Sequence, residues 1–155
     1  MEKEKNKKER KYERIISQLN EQLTKTNNPL SRMSTIIAIL HNKMDDFFWT
    51  GYYHLIDGQL LVGAYQGSLA CQILQKDKGV CWAAINRRET LVVKDINQFE
   101  GHIACDSRSN SEIVIPIKNQ EGEIIACIDV DSKEFNTFDE IDAKYLEEIT
   151  KMIYI

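Results

Sequence analysis

Two runs rich in aromatic and β-branched residues, 47–56 (FFWTGYYHLI) and 59–67 (QLLVGAYQG), are separated only by Asp57-Gly58. Two residues can join two strands only as a tight hairpin, and Gly accepts the positive φ that such turns require. The middle of the chain is thereby committed to antiparallel pairing, because a parallel pair would need a long crossover. A second pair of runs, 112–118 (EIVIPIK) and 123–131 (EIIACIDVD), is joined by Asn119-Gln120-Glu121-Gly122 and repeats the pattern.

Outside these hairpins the apolar period changes. Ile15, Ile16, Leu19 and Leu23 recur at helical spacing within 9–24, and Asn27-Asn28-Pro29 ends that helix. A second helix is expected from Leu30 or Ser31, with Met33, Ile36, Ile37, Leu40 and Met44 on one stripe. Residues 79–88 read as a short helix and 90–93 as a strand, whereas 94–111 carry little apolar periodicity. Thr137-Phe138-Asp139-Glu140 has the form of a Thr-x-x-Glu capping box, opening a last helix that buries Ile141, Tyr145 and Ile149. Hairpins flanked by terminal helices predict an α+β fold, a central antiparallel sheet with N- and C-terminal helices over one face. At 155 residues and 43% hydrophobic, one core suffices. The expected division is a charged N-terminal helical segment over 1–29 and one domain over 30–155.

Charge excludes some partners. Residues 1–14 hold seven basic and four acidic side chains, so 15–155 carry −7 of the total of −4. A net-acidic body offers no nucleic-acid footprint. No apolar run is long enough to span a bilayer, so no membrane partner is expected. The opening MEKEKNKKERKYER lacks the apolar stretch of a secretion signal, which predicts a cytoplasmic protein with reduced thiols.

Four cysteines then need a role: Cys71, Cys81, Cys105 and Cys127. Cys127 lies in an apolar strand and reads as a buried packing thiol, although it shares strand parity with Asp129 and Asp131. Either it lines the same site as those carboxylates or the strand is kinked there. Cys71 and Cys81 stand ten residues apart, which does not match the paired ligands of a zinc site, and no metal is expected. Cys105 sits in a polar loop with His102 and Arg108 within three residues, an exposed position suited to thiolate chemistry. Trp49 and Tyr53 share one face of their strand.

These pieces together resemble the GAF-domain free methionine-(R)-sulfoxide reductases. The matching segments are Trp49-Thr-Gly-Tyr-Tyr53, Gln66-Gly-Ser-Leu-Ala-Cys71, Gly79-Val-Cys81, Gly101-His-Ile-Ala-Cys-Asp106, Ser109-Asn-Ser-Glu112 and Asp129-Val-Asp-Ser132. The resemblance spans roughly residues 30 to 153, and departs from the family pattern at Trp82, where glycine is usual. It implies a single GAF-like domain that reduces free methionine-(R)-sulfoxide without a bound cofactor. Cys105 would be the attacking thiol, forming a sulfenic acid, and Cys71 or Cys81 would resolve it as an intramolecular disulfide. Thioredoxin would be the external reductant. Glu112, Asp129 and Asp131 would supply a proton to the sulfoxide and bind the substrate ammonium, with Trp49 and Tyr53 walling the thioether. Backbone N–H groups of 101–111 would take the carboxylate. A homodimer through the terminal helices is compatible with their apolar stripes. The alternative is a non-catalytic GAF-type sensor of a small molecule or of redox state.

Overall fold

The computed structural model describes residues 2–102 and 105–154, with side chains from residue 7 onward. Helix α1 (Glu2–Gln22) and a short 3-10 turn (Leu23–Lys25) lead to α2 (Pro29–Lys43). Strands β1 (Trp49–Ile56), β2 (Gln59–Gln66) and β3 (Ile73–Leu74) follow, then α3 (Gly79–Arg87) and β4 (Leu91–Val93). Strands β5 (Ser111–Lys118) and β6 (Ile124–Ser132) precede the last helix, α4 (Glu140–Thr150). The sheet is antiparallel in the order β3-β2-β1-β6-β5-β4, so the two hairpins meet along β1 and β6.

Local chemistry sets the boundaries. Asp57 (φ 51°) and Gly58 (φ 77°) form the two-residue turn, both left-handed as a type I′ hairpin requires. Asn28 caps α2 by accepting the Leu30 and Ser31 N–H groups at 3.0 and 3.2 Å, with Pro29 in the first turn. The last helix departs from expectation. Its N-cap is Asp139, paired with Asp142 in a reciprocal capping box, and Thr137 instead donates to Ser132 Oγ at 2.7 Å. The intervening Phe138 is buried in the core, which holds Thr137 outside the helix. Strand β3 had no sequence signal, being two residues long and half exposed.

Pairing is regular across β6, whose residues oppose β1 on one side and β5 on the other. Trp49 faces Asp131, Gly51 faces Asp129, and Tyr53 faces Cys127. On the opposite edge Glu112 faces Asp131 and Val114 faces Asp129. Strand alternation therefore splits the sheet into two surfaces. Tyr52, Ile113, Ile115, Ile117, Ile128 and Val130 pack against α1, α2 and α4 in one core. That core includes Tyr12, Ile15 and Leu19 of α1. Trp49, Tyr53, Val114 and Cys127 lie on the other surface, under α3. The terminal helices thus cover one face as expected, while α3 and the segments 67–78, 94–102 and 105–110 cover the face that carries the polar residues.

Gly51 makes that second surface possible. A Cβ there would lie closer than 3 Å to Tyr65 Cβ and to the Trp49 ring, which crosses directly over the glycine. Trp49 cannot retreat easily, since it stacks on Tyr53 and Tyr65 with centroids 5.9 and 5.3 Å away. Gly51→Ala is expected to destabilise the fold by about 2 kcal/mol, lowering Tm by roughly 4–8 °C. A thermal melt checks this, and an unchanged Tm would mean that the aromatic stack yields freely.

Candidate active site

One cavity opens on the α3 side of the sheet, at the carboxylate-bearing ends of β5 and β6. Trp49 and Tyr53 form a wall, Cys81 and Cys105 lie on the helix and loop sides, and Glu112, Asp129 and Asp131 line it. Seven of the eight residues singled out from the sequence therefore converge on one space, drawn from β1, α3, β5, β6 and the 101–110 loop. The eighth, Cys71, is bonded to Cys105 as a disulfide with a Cα–Cα distance of 5.7 Å. Cys81 and Cys127 are free and buried. Ile103 and Ala104 of the Gly101–Asp106 motif lie outside the described residues.

The two aromatic residues do more than line the wall. Trp49 Nε1 donates to the Ser68 carbonyl at 3.0 Å, and the Tyr53 hydroxyl donates to the Cys71 carbonyl at 3.1 Å. Both bonds hold the β2–β3 segment that carries Cys71. Ser68 Oγ in turn donates to Asp106 Oδ2 at 2.8 Å, a non-covalent tie one residue from the disulfide. Asp106 also accepts from the Arg108 backbone N–H at 2.9 Å and from its Nε and Nη2 at 3.0 and 2.7 Å. Those bonds from Arg108, and the one from Ser68, keep the Asp106 carboxyl far below its usual range.

This arrangement revises the roles of the cations nearest Cys105. The Arg108 charge is engaged by Asp106 and lies over the Phe48 ring at 4.9 Å. Burial lowers the His102 pKa, which keeps its imidazole neutral at neutral pH. Neither supplies a free positive charge beside the thiol. Sequence reasoning missed the Ser68–Asp106 tie and the Tyr65 stack. Asp106-Ser107-Arg108 carried a readable signal, since Asp commonly bonds the backbone two residues on.

Glu112 and Asp129 are buried and Asp131 is partly buried, and none of the three has a salt-bridge partner among the described residues. Glu112 and Asp129 are 7% and 6% exposed. Burial raises the Glu112 pKa well above the ordinary glutamate value, and the charges of Asp129 and Asp131 raise it further. Burial raises Asp129 as well, opposed by hydrogen bonds from Glu112 and Cys81. Asp131 is raised by burial and then by Asp129. The three therefore share fewer charges than three isolated carboxylates would carry, with Glu112 holding a proton. Asp129 Oδ1 is buried with no hydrogen-bond partner among the described residues. An unsatisfied buried acceptor on a cavity wall is costly unless a ligand completes it. Ligand atoms of Cys81, Glu112 and Asp129 lie within 4.8 Å of one another, so the same cluster is also compact enough for a cation.

Cys127 resolves the parity question. Strand β6 is regular there, so Cys127 lies on the site face, fully buried beneath the cavity. Its nearness to Cys81, ahead of burial, pushes the Cys81 pKa up.

A GAF domain model matches residues 31–153. "GAF domain-containing protein A" of Dictyostelium discoideum is 43% identical over 148 residues, covering 94% of this chain and 92% of that protein. A free methionine-R-sulfoxide reductase of Saccharomyces cerevisiae is 38% identical over 128 residues, 80% of this chain and 71% of its own length. The chain belongs to the GAF-domain free methionine-R-sulfoxide reductase family. Among solved structures, the Neisseria meningitidis free methionine-R-sulfoxide reductase in complex with its substrate superposes with a TM-score of 0.85. It is 33% identical, covering 92% of this chain and 85% of that one. Trp82, next to Cys81 in sequence, is buried, and its Nε1 has no hydrogen-bond partner among the described residues.

Proposed function

We propose that this chain reduces free methionine-R-sulfoxide to methionine, with Cys105 attacking the sulfoxide sulfur and Cys71 resolving the product. The observation that carries this reading is the position of the Cys71–Cys105 disulfide, whose Cys105 end lines a cavity of buried, proton-holding carboxyls. Once the disulfide is reduced, the Cys105 thiolate attacks sulfur while protonated Glu112 gives the oxygen a proton. The S–O bond breaks, methionine leaves, and Cys105 carries the oxygen as a sulfenic acid. Cys71 then attacks the Cys105 sulfur, and water departs as the disulfide closes. An external dithiol of the thioredoxin class reduces it by exchange.

Asp129 and Asp131 suit the substrate ammonium, which would satisfy the unpartnered Asp129 oxygen. Trp49 supports the thioether end, and backbone N–H groups of the 101–111 loop suit the carboxylate. Electrons enter and leave through thiols, so the cycle needs no bound cofactor. Repeated reduction by thioredoxin places the working protein in a reducing compartment such as the cytoplasm.

Recognition of both the ammonium and the carboxylate by an enclosed site predicts a strong preference for the free amino acid. With NADPH, thioredoxin reductase and thioredoxin, free methionine-R-sulfoxide should drive NADPH oxidation. A peptide with an internal methionine-R-sulfoxide should react about 100-fold more slowly or less, since losing both charged contacts costs several kcal/mol. Equal rates on both would remove the proposed ammonium and carboxylate sites. Saturable binding of the free sulfoxide without any turnover would make the domain a sensor instead.

A further inference from the structure

Cys127 is absent from the proposed cycle, yet it touches it. Its thiol is free and buried in the same packed cluster as the free thiol of Cys81, close enough to perturb it, and Cys81 shares the cavity with Cys105. The contact is fixed by secondary structure. Cys81 is the third residue of α3, and Cys127 is the fourth of β6, held between Tyr53 of β1 and Pro116 of β5. Both side chains belong to one packed cluster, at 4% and 0% exposure. Two free thiols packed in one cluster are placed to come within the roughly 2 Å of a disulfide bond as their side chains rotate. Cys81 also has a proton acceptor nearby, since an Asp129 carboxylate oxygen lies within 4.8 Å of its sulfur.

We propose that Cys81 and Cys127 form a second, internal dithiol that takes the disulfide over from Cys71 and Cys105, giving each chain two turnovers before any external reductant is needed. This inference rests on the cysteine cycle proposed above. Cys81 passes its proton to Asp129 and attacks the Cys105 sulfur. The Cys71–Cys105 bond breaks, the Cys81–Cys105 bond forms, and Cys71 leaves as a thiolate. Asp129 returns the first proton to the Cys71 thiolate, takes that of Cys127, and Cys127 attacks the Cys81 sulfur. A Cys81–Cys127 disulfide forms and Cys105 leaves as the thiolate. Two thiols are oxidised and two regenerated, so the exchange needs no other oxidant. The freed Cys71 and Cys105 reduce a second sulfoxide and close their own disulfide again. Over both turnovers, four thiols and two sulfoxides yield two disulfides, two methionines and two waters.

The test counts methionine. The full chain is reduced completely, freed of reductant under anaerobic conditions, and mixed with excess free methionine-R-sulfoxide. Two methionines per chain are expected, the second released more slowly, because its exchange starts from a buried thiol. Cys127→Ser and Cys127→Ala should each stop at one, and peptide mapping should find Cys81 linked to Cys127 only in the unmodified chain. One methionine from the unmodified chain would overturn the second dithiol and leave the Cys71–Cys105 cycle standing. None would overturn the cycle itself. Two from the Cys127 variants would assign the extra electrons to another donor and also overturn the proposal. If one variant fails to fold, the count and the mapped linkage in the unmodified chain still decide.

Discussion

Replacing Cys105 by serine should abolish methionine release, whereas replacing Cys71 should spare the first release and slow every cycle after it. The two residues share a disulfide, so a merely structural bond would make the two variants alike. Their surroundings argue for a difference. Cys105 lines the cavity beside the proton-holding carboxyls, while Cys71 approaches from the segment pinned by Tyr53 and Trp49. A serine at 105 cannot accept the sulfoxide oxygen through sulfur, and a loss of at least about 10³-fold is expected for removing a nucleophile. In Cys71→Ser the sulfenic acid still forms. Its resolution falls to Cys81, whose thiol is kept protonated by its contact with Cys127 and by burial. Steady-state turnover with thioredoxin should therefore fall by about 100-fold, since attack requires the thiolate. A dione reagent that traps sulfenic acids should label Cys105 far more in this variant. Rapid mixing without reductant separates the outcomes. Normal first-turnover release from Cys105→Ser would show that another thiol attacks, and unimpaired steady-state turnover in Cys71→Ser would assign resolution elsewhere.

Those roles were partly legible in the sequence, and the reasons differ by residue. Strand parity alone put Trp49 with Tyr53 and Asp129 with Asp131, because side-chain direction in a regular strand follows from numbering. Asp57-Gly58 announced the hairpin because few residues accept two consecutive positive φ values. The choice between Cys71 and Cys81 as the partner of Cys105 was not legible. It depends on where the β2–β3 segment is tied, and those ties run to backbone carbonyls of Ser68 and Cys71, which no side-chain pattern reports. Arg108 misled for a similar reason. Proximity in sequence suggested a cation for the thiolate, whereas a two-residue Asx turn hands that charge to Asp106. Thr137 likewise had the chemistry of an N-cap, but burial of Phe138 moved the helix start to Asp139. For Thr137 a long-range contact overrode a sound local preference, whereas for Arg108 one local bond displaced another local role.

Glu112→Gln should make the protein slower and more stable, with both effects set by pH. Burial first, and then the nearby Asp129 and Asp131, hold the Glu112 pKa well above its ordinary value, so the folded chain keeps this proton to higher pH than the unfolded chain does. In the unfolded chain the same group ionises in the ordinary glutamate range, near pH 4.3. Between that range and the raised folded value, the native state binds one proton more than the unfolded state. Stability is then fully present below the unfolded pKa and declines as pH rises, by about 1.4 kcal/mol per unit. Glutamine is uncharged throughout and keeps a donor toward the aspartates. The variant should therefore match the parent below pH 4 and exceed it by a margin that widens as pH rises toward the raised folded pKa, each 1.4 kcal/mol raising Tm by roughly 3–6 °C in a domain of this size. Catalysis moves the other way, since glutamine has no proton to give the departing oxygen. A loss of about 10²–10⁴-fold is expected for an absent general acid. Parent activity should decline at alkaline pH as Glu112 ionises, and that decline should disappear in the variant. An equal fall in activity and in Tm would indicate general disruption instead. A slower, more stable protein would identify Glu112 as a proton donor held in the fold at the expense of stability.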